Sequence, residues 1–497
     1  MLRRLFILLA KGLLFFVLVW LAVMAYWHYT RRIVSSADLL IYLGLLPIGL
    51  LLAYWLTKGG IYLGKQAYSR FQTRAVTKQA EPGSALNAAA PNVPGQETTL
   101  LVLANSVRSG MGDAEMWIDK TREYEIHHAL DTDLSEALGF GIRSVRMDEL
   151  DDHDESENMQ GAVARMGHML RLVQNDLSDV MRLAASLAVS GDPKKRLADT
   201  RVALHPEWGQ NPVPTATEEV PAKAASQENI ISNLALFLLL PDFVTAEESD
   251  RLKQNCLEWA LSLGWPTAAV HVSAVILPDT QASLKKLVDV LRQQSQSPLH
   301  LLVVLSAVSW LDESLLNARM QRDNFWADRL RKASTIVGEA AAGMVISNQA
   351  LHDPETGESQ SGLARLTLLS AGERQKPIDA KGSIEAELLV QMAQGIGQSC
   401  GVELNQFKYL VATGDFGLDR PVELGRWMSE CMPHLNVVGD SLQLGLHVGE
   451  CEPVSDLLGM ALAVEHCRQA EAPILFCSNH STSWRGMLAA LPIAVIA

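Results

Sequence analysis

The sequence lacks most of the patterns by which catalytic and metal sites are spelled out. Its six cysteines, Cys256, Cys400, Cys431, Cys451, Cys467 and Cys477, include no Cys-x-x-Cys pair. Several lie in apolar surroundings, so the thiols read as buried and reduced, in a reducing compartment. His-x-x-x-His and His-Glu-x-x-His are absent. The neighbouring His127 and His128 would point in different directions on a helix, so no shared metal is expected. No Gly-x-Ser-x-Gly elbow is present to expose a hydrolase serine. In "RSGMGDAE", Gly110 and Gly112 follow a strand without a third glycine or a P-loop lysine, so they read as a strand-end turn and no cofactor is expected. Positive charge is also scarce: 42 Lys and Arg against 56 Asp and Glu give a net charge of −14, which argues against nucleic acid as a partner. The densest acidic run, "MDELDDHDESEN" around His153, has no liganding spacing and reads as a solvated loop.

What is abundant is apolar residues, 48% of 497, enough for a large core and for membrane segments as well. Leu5 to Trp27 carries one charge, Lys11, and Leu39 to Leu56 carries none. Both are long enough, or nearly so, to cross a hydrocarbon layer about 30 Å thick. The first run is too long for a signal-peptide core and ends in "YWHYTRR", with no small-residue cleavage site. Residues 1–60 are thus expected to form a transmembrane hairpin. Lys58, Lys65, Arg70, Arg74 and Lys78 follow it with no acid among them, which places the remainder of the chain in the cytoplasm.

Residues 61–98 read as a basic juxtamembrane segment running into a flexible linker rich in Ala, Pro, Gly and Asn. A second polar stretch, 206–228, divides the expected soluble body into a first α/β domain, 99–205, and a larger α/β domain, 229–497. In the larger region continuous apolar runs such as "LHLLVVLSAVSW" alternate with helical patterns such as "SLKKLVDVLRQQ" and "SDLLGMALAVEHCRQA". That alternation predicts a layered α/β core with strands buried on both faces. No internal repeat is legible.

Three stretches stand in an informative order. "VGEAAAGMVISNQAL" contains Gly338, Glu339 and Ala340; "VATGDFGLDRPVEL" contains Thr413, Gly414, Asp419 and Glu423; "VGECEPVSDLLGMALAVEHC" contains Gly449. "PILFCSNHSTSWRGMLAALP" follows as a strand, an Asn-containing turn and a last strand. In this order the region from Ile230 to Ala497 resembles the thiolase and ketosynthase superfamily. The resemblance implies a nucleophilic cysteine at a helix start and two catalytic histidines. Here the first histidine position holds Val411, the second holds Glu450, and the helix "DTQASLKKLVDVL" has no cysteine near it. Condensation needs a thiolate and donors for the thioester oxyanion. Val411 cannot hydrogen-bond through its side chain and Glu450 is an anion, so the region is expected to be a catalytically vacant thiolase-like scaffold. "SNHSTSW" resembles the Asn-His-x-Ser turn of glycerolipid acyltransferases, but Arg485 stands where the orienting carboxylate belongs. His480 is therefore expected to be a turn residue bonded to backbone.

The whole chain, from "LLVLANSVRSGMGDAEMWIDK" to "VGDSLQLGLHVGECEPVSDLLGMALAVEHC", resembles the Tla-type adaptors of bacterial type VI secretion. That resemblance implies a non-enzymatic protein of the bacterial inner membrane that binds a lipase effector and the secretion spike protein. The alternative is a membrane-anchored acyltransferase or hydrolase of the thiolase superfamily.

Overall fold

The computed structural model describes residues 99–122, 129–135, 141–150, 161–190, 231–278, 280–296, 300–322, 336–352, 359–360, 362–378, 380, 384–414 and 419–493. The expected hairpin, both linkers, the His127–His128 pair and the acidic loop around His153 lie outside them. Among the described residues no helix is long and apolar enough to cross a membrane.

The elements run in chain order as β1 (Leu100–Ser109), α1 (Ala114–Arg122), β2 (Ala129–Ser135), β3 (Gly141–Val145), α2 (Gly161–Ser190), β4 (Asn233–Pro241), α3 (Ala246–Ser262), β5 (Val270–Leu277), α4 (Thr280–Ser295), β6 (His300–Ser309), α5 (Glu313–Arg322) and β7 (Ile336–Ser347). A short pair, β8 (Leu351–His352) and β9 (Ser359–Gln360), follows. Then come β10 (Ala364–Leu366), β11 (Ser370–Glu373), α6 (Glu387–Cys400), β12 (Tyr409–Ala412), α7 (Asp419–Cys431), β13 (Ser441–Gln443), α8 (Leu444–Val448), α9 (Ser455–Ala470), β14 (Ile474–Ser478) and β15 (Trp484–Leu491).

The strand order contains a duplication. One half reads β5-β4-β6-β7-β1 and the other β13-β12-β14-β15-β10. Numbering the five strands of each half along the chain, both orders are third, second, fourth, fifth, first. The directions match as well: the first three strands in each order are mutually parallel, and the last two pairings are antiparallel. An antiparallel pairing of β1 with β10, Leu100 to Leu366, joins the halves. The repeat lies in topology, where a reading of residue similarity could not find it.

Strand periodicity sends alternate residues to opposite faces and so builds five layers. On the outer face of the first sheet, Met169, Val173 and Leu177 of α2 and Leu252 of α3 pack with Leu236, Leu238, Val303 and Leu305. On the outer face of the second, Leu389 of α6 and Trp427 of α7 pack with Leu410, Leu475 and Met487. Between the sheets, α4 and α9 pack with Leu239, Leu302, Val411, Phe476 and Leu488. Helix α9 is buried from Ser455 to Cys467, as a helix with sheets on both sides must be.

One expectation is revised. The stretches 99–205 and 229–497, expected as separate domains, share one sheet, since β1 lies between β7 and β10 and Asn92–Ala497 forms one compact unit. The apolar length of β1 marked a strand but gave no indication that it pairs on both edges with strands more than two hundred residues away. Gly110 and Gly112 do form a strand-end turn, closed by Gly112 N to Ser109 O at 2.8 Å with Gly112 at φ 102°.

Candidate functional site

The segments with the ketosynthase-like motifs meet where β12, β13 and β14 end and α4 begins. Val411 sits inside β12, flanked in register by Leu442 of β13 and Phe476 of β14, and is fully buried in the core between the sheets. Two residues on, Thr413 N donates to Cys477 O at 3.1 Å and Thr413 Oγ1 accepts from Asn479 N at 3.0 Å. Gly414 O accepts from Gly445 N at 3.0 Å. Thr413 and Gly414 thus fasten the end of β12 to β14 and α8. Substituting His for Val411 should cost about 1 to 3 kcal/mol through overpacking and an unpaired imidazole. Chemical denaturation of Val411→His would measure it, and Val411→His with Glu450→His should still show no condensing activity, because no thiol opens α4.

Glu450 is held elsewhere. Its amide donates to Ile336 O at 2.9 Å, and it bridges to Val337 at the start of β7. Gly449 precedes it at φ 69°, where an L side chain would be strained. Within β7, the fully buried Glu339 accepts from Arg165 Nε and Nη2 at 2.8 and 2.6 Å, Ser309 Oγ at 3.0 Å and Met147 N at 2.7 Å. Each carboxylate oxygen is committed, so Glu339 pins α2 and the segment after β3 to β7.

Glu423 of α7 has the same character. It is fully buried, accepts from Arg485 Nε at 3.1 and 3.0 Å and from Arg374 Nη1, and is ion-paired with Arg485 Nη2 at 2.9 Å. Arg485 also donates through Nη1 to Ser481 O and Trp484 O. Burial pushes the Arg485 guanidinium down to about 10, which still leaves it charged at neutral pH. Asp419 opens α7, as the motif implies.

The turn Ser478–Trp484 lies over this meeting point and is fastened from several elements. Arg374 N and Ile378 N donate to Ser483 O and Thr482 O. Arg420 of α7 donates to His480 O at 2.8 Å through Nη2. With the Gln281 amide in its satisfied orientation, its oxygen accepts from Trp484 Nε1 and Lys285 Nζ, and the Lys285 ammonium lies 4.2 Å from the centre of a Trp484 ring. Ser283 Oγ of α4 donates to Pro453 O at 3.1 Å, tying the helix start to the loop before α9.

The expectation for His480 is corrected here: its Nε2 meets the Glu452 carboxylate. The carboxylate comes from the loop before α9 and not from position 485. Beside this pair lies Asp456, on the first turn of α9, 1% exposed. Burial, with a smaller contribution from the Glu452 charge, pushes its carboxyl up to about 7, while Ser478 and His480 pull the other way. A raised folded value means that Asp456 contributes stability fully present below the ordinary carboxylate range and lost as pH rises through 7. The melting temperature should therefore fall between about pH 4 and pH 7, and the Asp456→Asn variant should flatten that part of the profile.

The four buried thiols are poor nucleophiles. Burial pushes Cys256, Cys467 and Cys477 up to about 12 and Cys451 well above the usual thiol range. All four are protonated at neutral pH. The first turn of α4 carries Gln281, Ala282 and Ser283.

No family model and no curated protein matches the sequence. Solved structures do. The ketosynthase from module 1 of the bacillaene synthase from Bacillus amyloliquefaciens FZB42 superposes with a TM-score of 0.50 at 11% identity, covering 81% of this chain and 74% of that one. The ishigamide ketosynthase/chain length factor gives 0.47 at 12% identity, with 80% and 100% covered. The AntDE:AntF complex of a type II PKS acyl-carrier protein with its ketosynthase gives 0.49 at 8%, with 80% and 100% covered. The share covered in the bacillaene comparison exceeds what Ile230 to Ala497 could supply, so the likeness extends through the region before the second linker. At such identities the likeness speaks for fold alone, and the described body has a mixed α/β, thiolase-like fold.

Proposed function

We propose that this chain is a non-enzymatic adaptor of the bacterial inner membrane that recruits a phospholipase effector to the type VI secretion spike. The observation that supports vacancy most strongly is the placement of Val411: a core side chain wedged between Leu442 and Phe476 stands where the fold's chemistry needs an imidazole. The protonated thiols and the fastened turn over the site agree with it. The effector, the spike and the membrane come from the resemblance of the sequence to Tla-type adaptors. Affinity capture of the tagged full chain from cells carrying the secretion system tests the reading directly. A lipase and a spike protein should be retained, and capture of neither, with the tag accessible, would sink it. For the anchor, a reporter active only in the periplasm and fused after Ala497 should be silent, whereas a strong signal would reverse the topology.

One observation favours the second reading, a membrane-anchored acyltransferase or hydrolase. Glu452 and His480 form a carboxylate–imidazole pair of the kind that serves as a general base. Loss of thioester or ester turnover in His480→Gln, with stability retained, would establish that reading over the adaptor.

A further inference from the structure

We propose that the turn Ser478–Trp484 is a proton-controlled strap across the vacated site, closed while the neighbouring Asp456 carboxyl is protonated and loosened when that carboxyl ionises. The proposal goes beyond the adaptor reading and stands without it.

The strap joins parts of the chain that no continuous secondary structure connects. At His480 it is tied to Glu452 in the loop before α9, and at Trp484 to Gln281 and Lys285 on the first turns of α4. The loop is tied in turn to α4 through Ser283 and Pro453. Asp456 stands at the junction, on α9 beside Ser478, where the strap begins.

The charges around it decide the direction. From its own side of the junction Asp456 faces Glu452, with Glu450 one step further along the loop and Cys451 between them, its thiol protonated. From the strap it faces His480 and the Ser478 hydroxyl, and β14 contributes the protonated Cys477. The two guanidinium groups nearby are committed: Arg420 donates to His480 O, and Arg485 is paired with Glu423. Helix α4 contributes the neutral Ser283, and its Lys285 lies over Trp484. A protonated Asp456 leaves one carboxylate, Glu452, for one imidazole. An ionised Asp456 makes two carboxylates compete for that imidazole, and Asp456 itself is 1% exposed, so the cheapest relief is to admit more water by lifting the strap. Asn479 within the strap is 1% exposed, and neither its amide nitrogen nor its amide oxygen has a partner. Lifting the strap would hydrate both atoms, which lowers the cost of opening. Burial holding the Asp456 carboxyl up to about 7 sets the pH range in which the change falls.

Hydrogen exchange read by mass spectrometry on the full chain in detergent tests this, with rates corrected for the intrinsic pH dependence of exchange. The strap peptide is compared with β7, every residue of which is buried. Between about pH 6 and pH 8 the protection of 478–484 should fall roughly tenfold relative to β7. The Asp456→Asn variant should hold its protection across that range, and His480→Gln should lose protection at both ends of it. Strap and β7 protection moving in parallel across the range would overturn the proposal, as would an unchanged pH-dependent loss in Asp456→Asn. If Asp456→Asn does not fold, the wild-type titration decides alone. A strap-specific loss centred near pH 7 supports the proposal, and its absence ends it. Because exchange reports the strap whether or not a lipase binds, failure here is distinct from failure of the adaptor reading.

Discussion

Replacing Gly338 with alanine should destabilise the protein by more than about 4 kcal/mol and yield little soluble material. A Cβ built on Gly338 falls 1.8 Å from the carbonyl oxygen of Val448 and 3.1 Å from Cys451 Sγ. The obstacle is backbone, so no rotamer change relieves it. The carbonyl belongs to the last residue of α8, and the next residue, Gly449, is itself pressed against Ile336 O, with its own Cβ position 2.6 Å away. This close approach ties β7 of the first half to the segment that leads into α9 of the second. Separating the two backbones would break the Glu450 N to Ile336 O bond and disturb the packing of the central helix. Gly395→Ala in α6 is the matched control, because nothing lies within 4 Å of its Cβ position. Urea denaturation should find that variant unchanged or stabilised by about 0.5 to 1 kcal/mol. Equal midpoints for the two variants would refute the argument from close approach.

Glu423→Gln should cost about 3 to 5 kcal/mol. The substitution keeps the shape and removes the carboxylate paired with the buried guanidinium groups of Arg374 and Arg485. Arg485 is fully buried and Arg374 nearly so, and neither can recover its hydration without opening the segment between β11 and α6 or the turn before β15. The double variant Glu423→Gln with Arg485→Met should regain part of the loss, because it removes one stranded charge along with its partner. The measurement is the urea midpoint of the three proteins. A single variant within 1 kcal/mol of the wild type would mean that water already reaches the cluster.

The two predictions bear on residues that differ in how far the sequence disclosed them. Gly338 and Glu423 belong to motif-like stretches, and their positions in a thiolase-like fold follow from the order of those stretches. The reasons for their presence do not, because Val448, Arg374 and Arg485 come from other segments and carry no local signature. Long buried strands such as His300–Ser309 and Ile336–Ser347 are legible as apolar runs, since both faces are covered. The three-residue β10 and β13 are held by their neighbours in the sheet, and an isolated run of that length has no periodicity to read. The same limit hides the junction of the halves, where β1 meets β10 across most of the chain. At the candidate site, Val411 is legible as a substitution within a recognisable motif-like stretch. The Glu452–His480 pair is not, because its members sit on loops that only the packing of α9 against β14 brings together. Arg485, at the position where a dyad reading seeks an acid, instead neutralises Glu423.

We propose that the site at the ends of β12 and β14 is catalytically vacant. The most direct test is turnover of an acyl thioester by the purified wild-type protein, followed alongside Glu450→Ala and His480→Gln variants of equal melting temperature. Vacancy predicts that all three release thiol at the rate of the buffer alone. Turnover by the wild type that disappears in either variant, with stability unchanged, would contradict it and identify the chain as an enzyme.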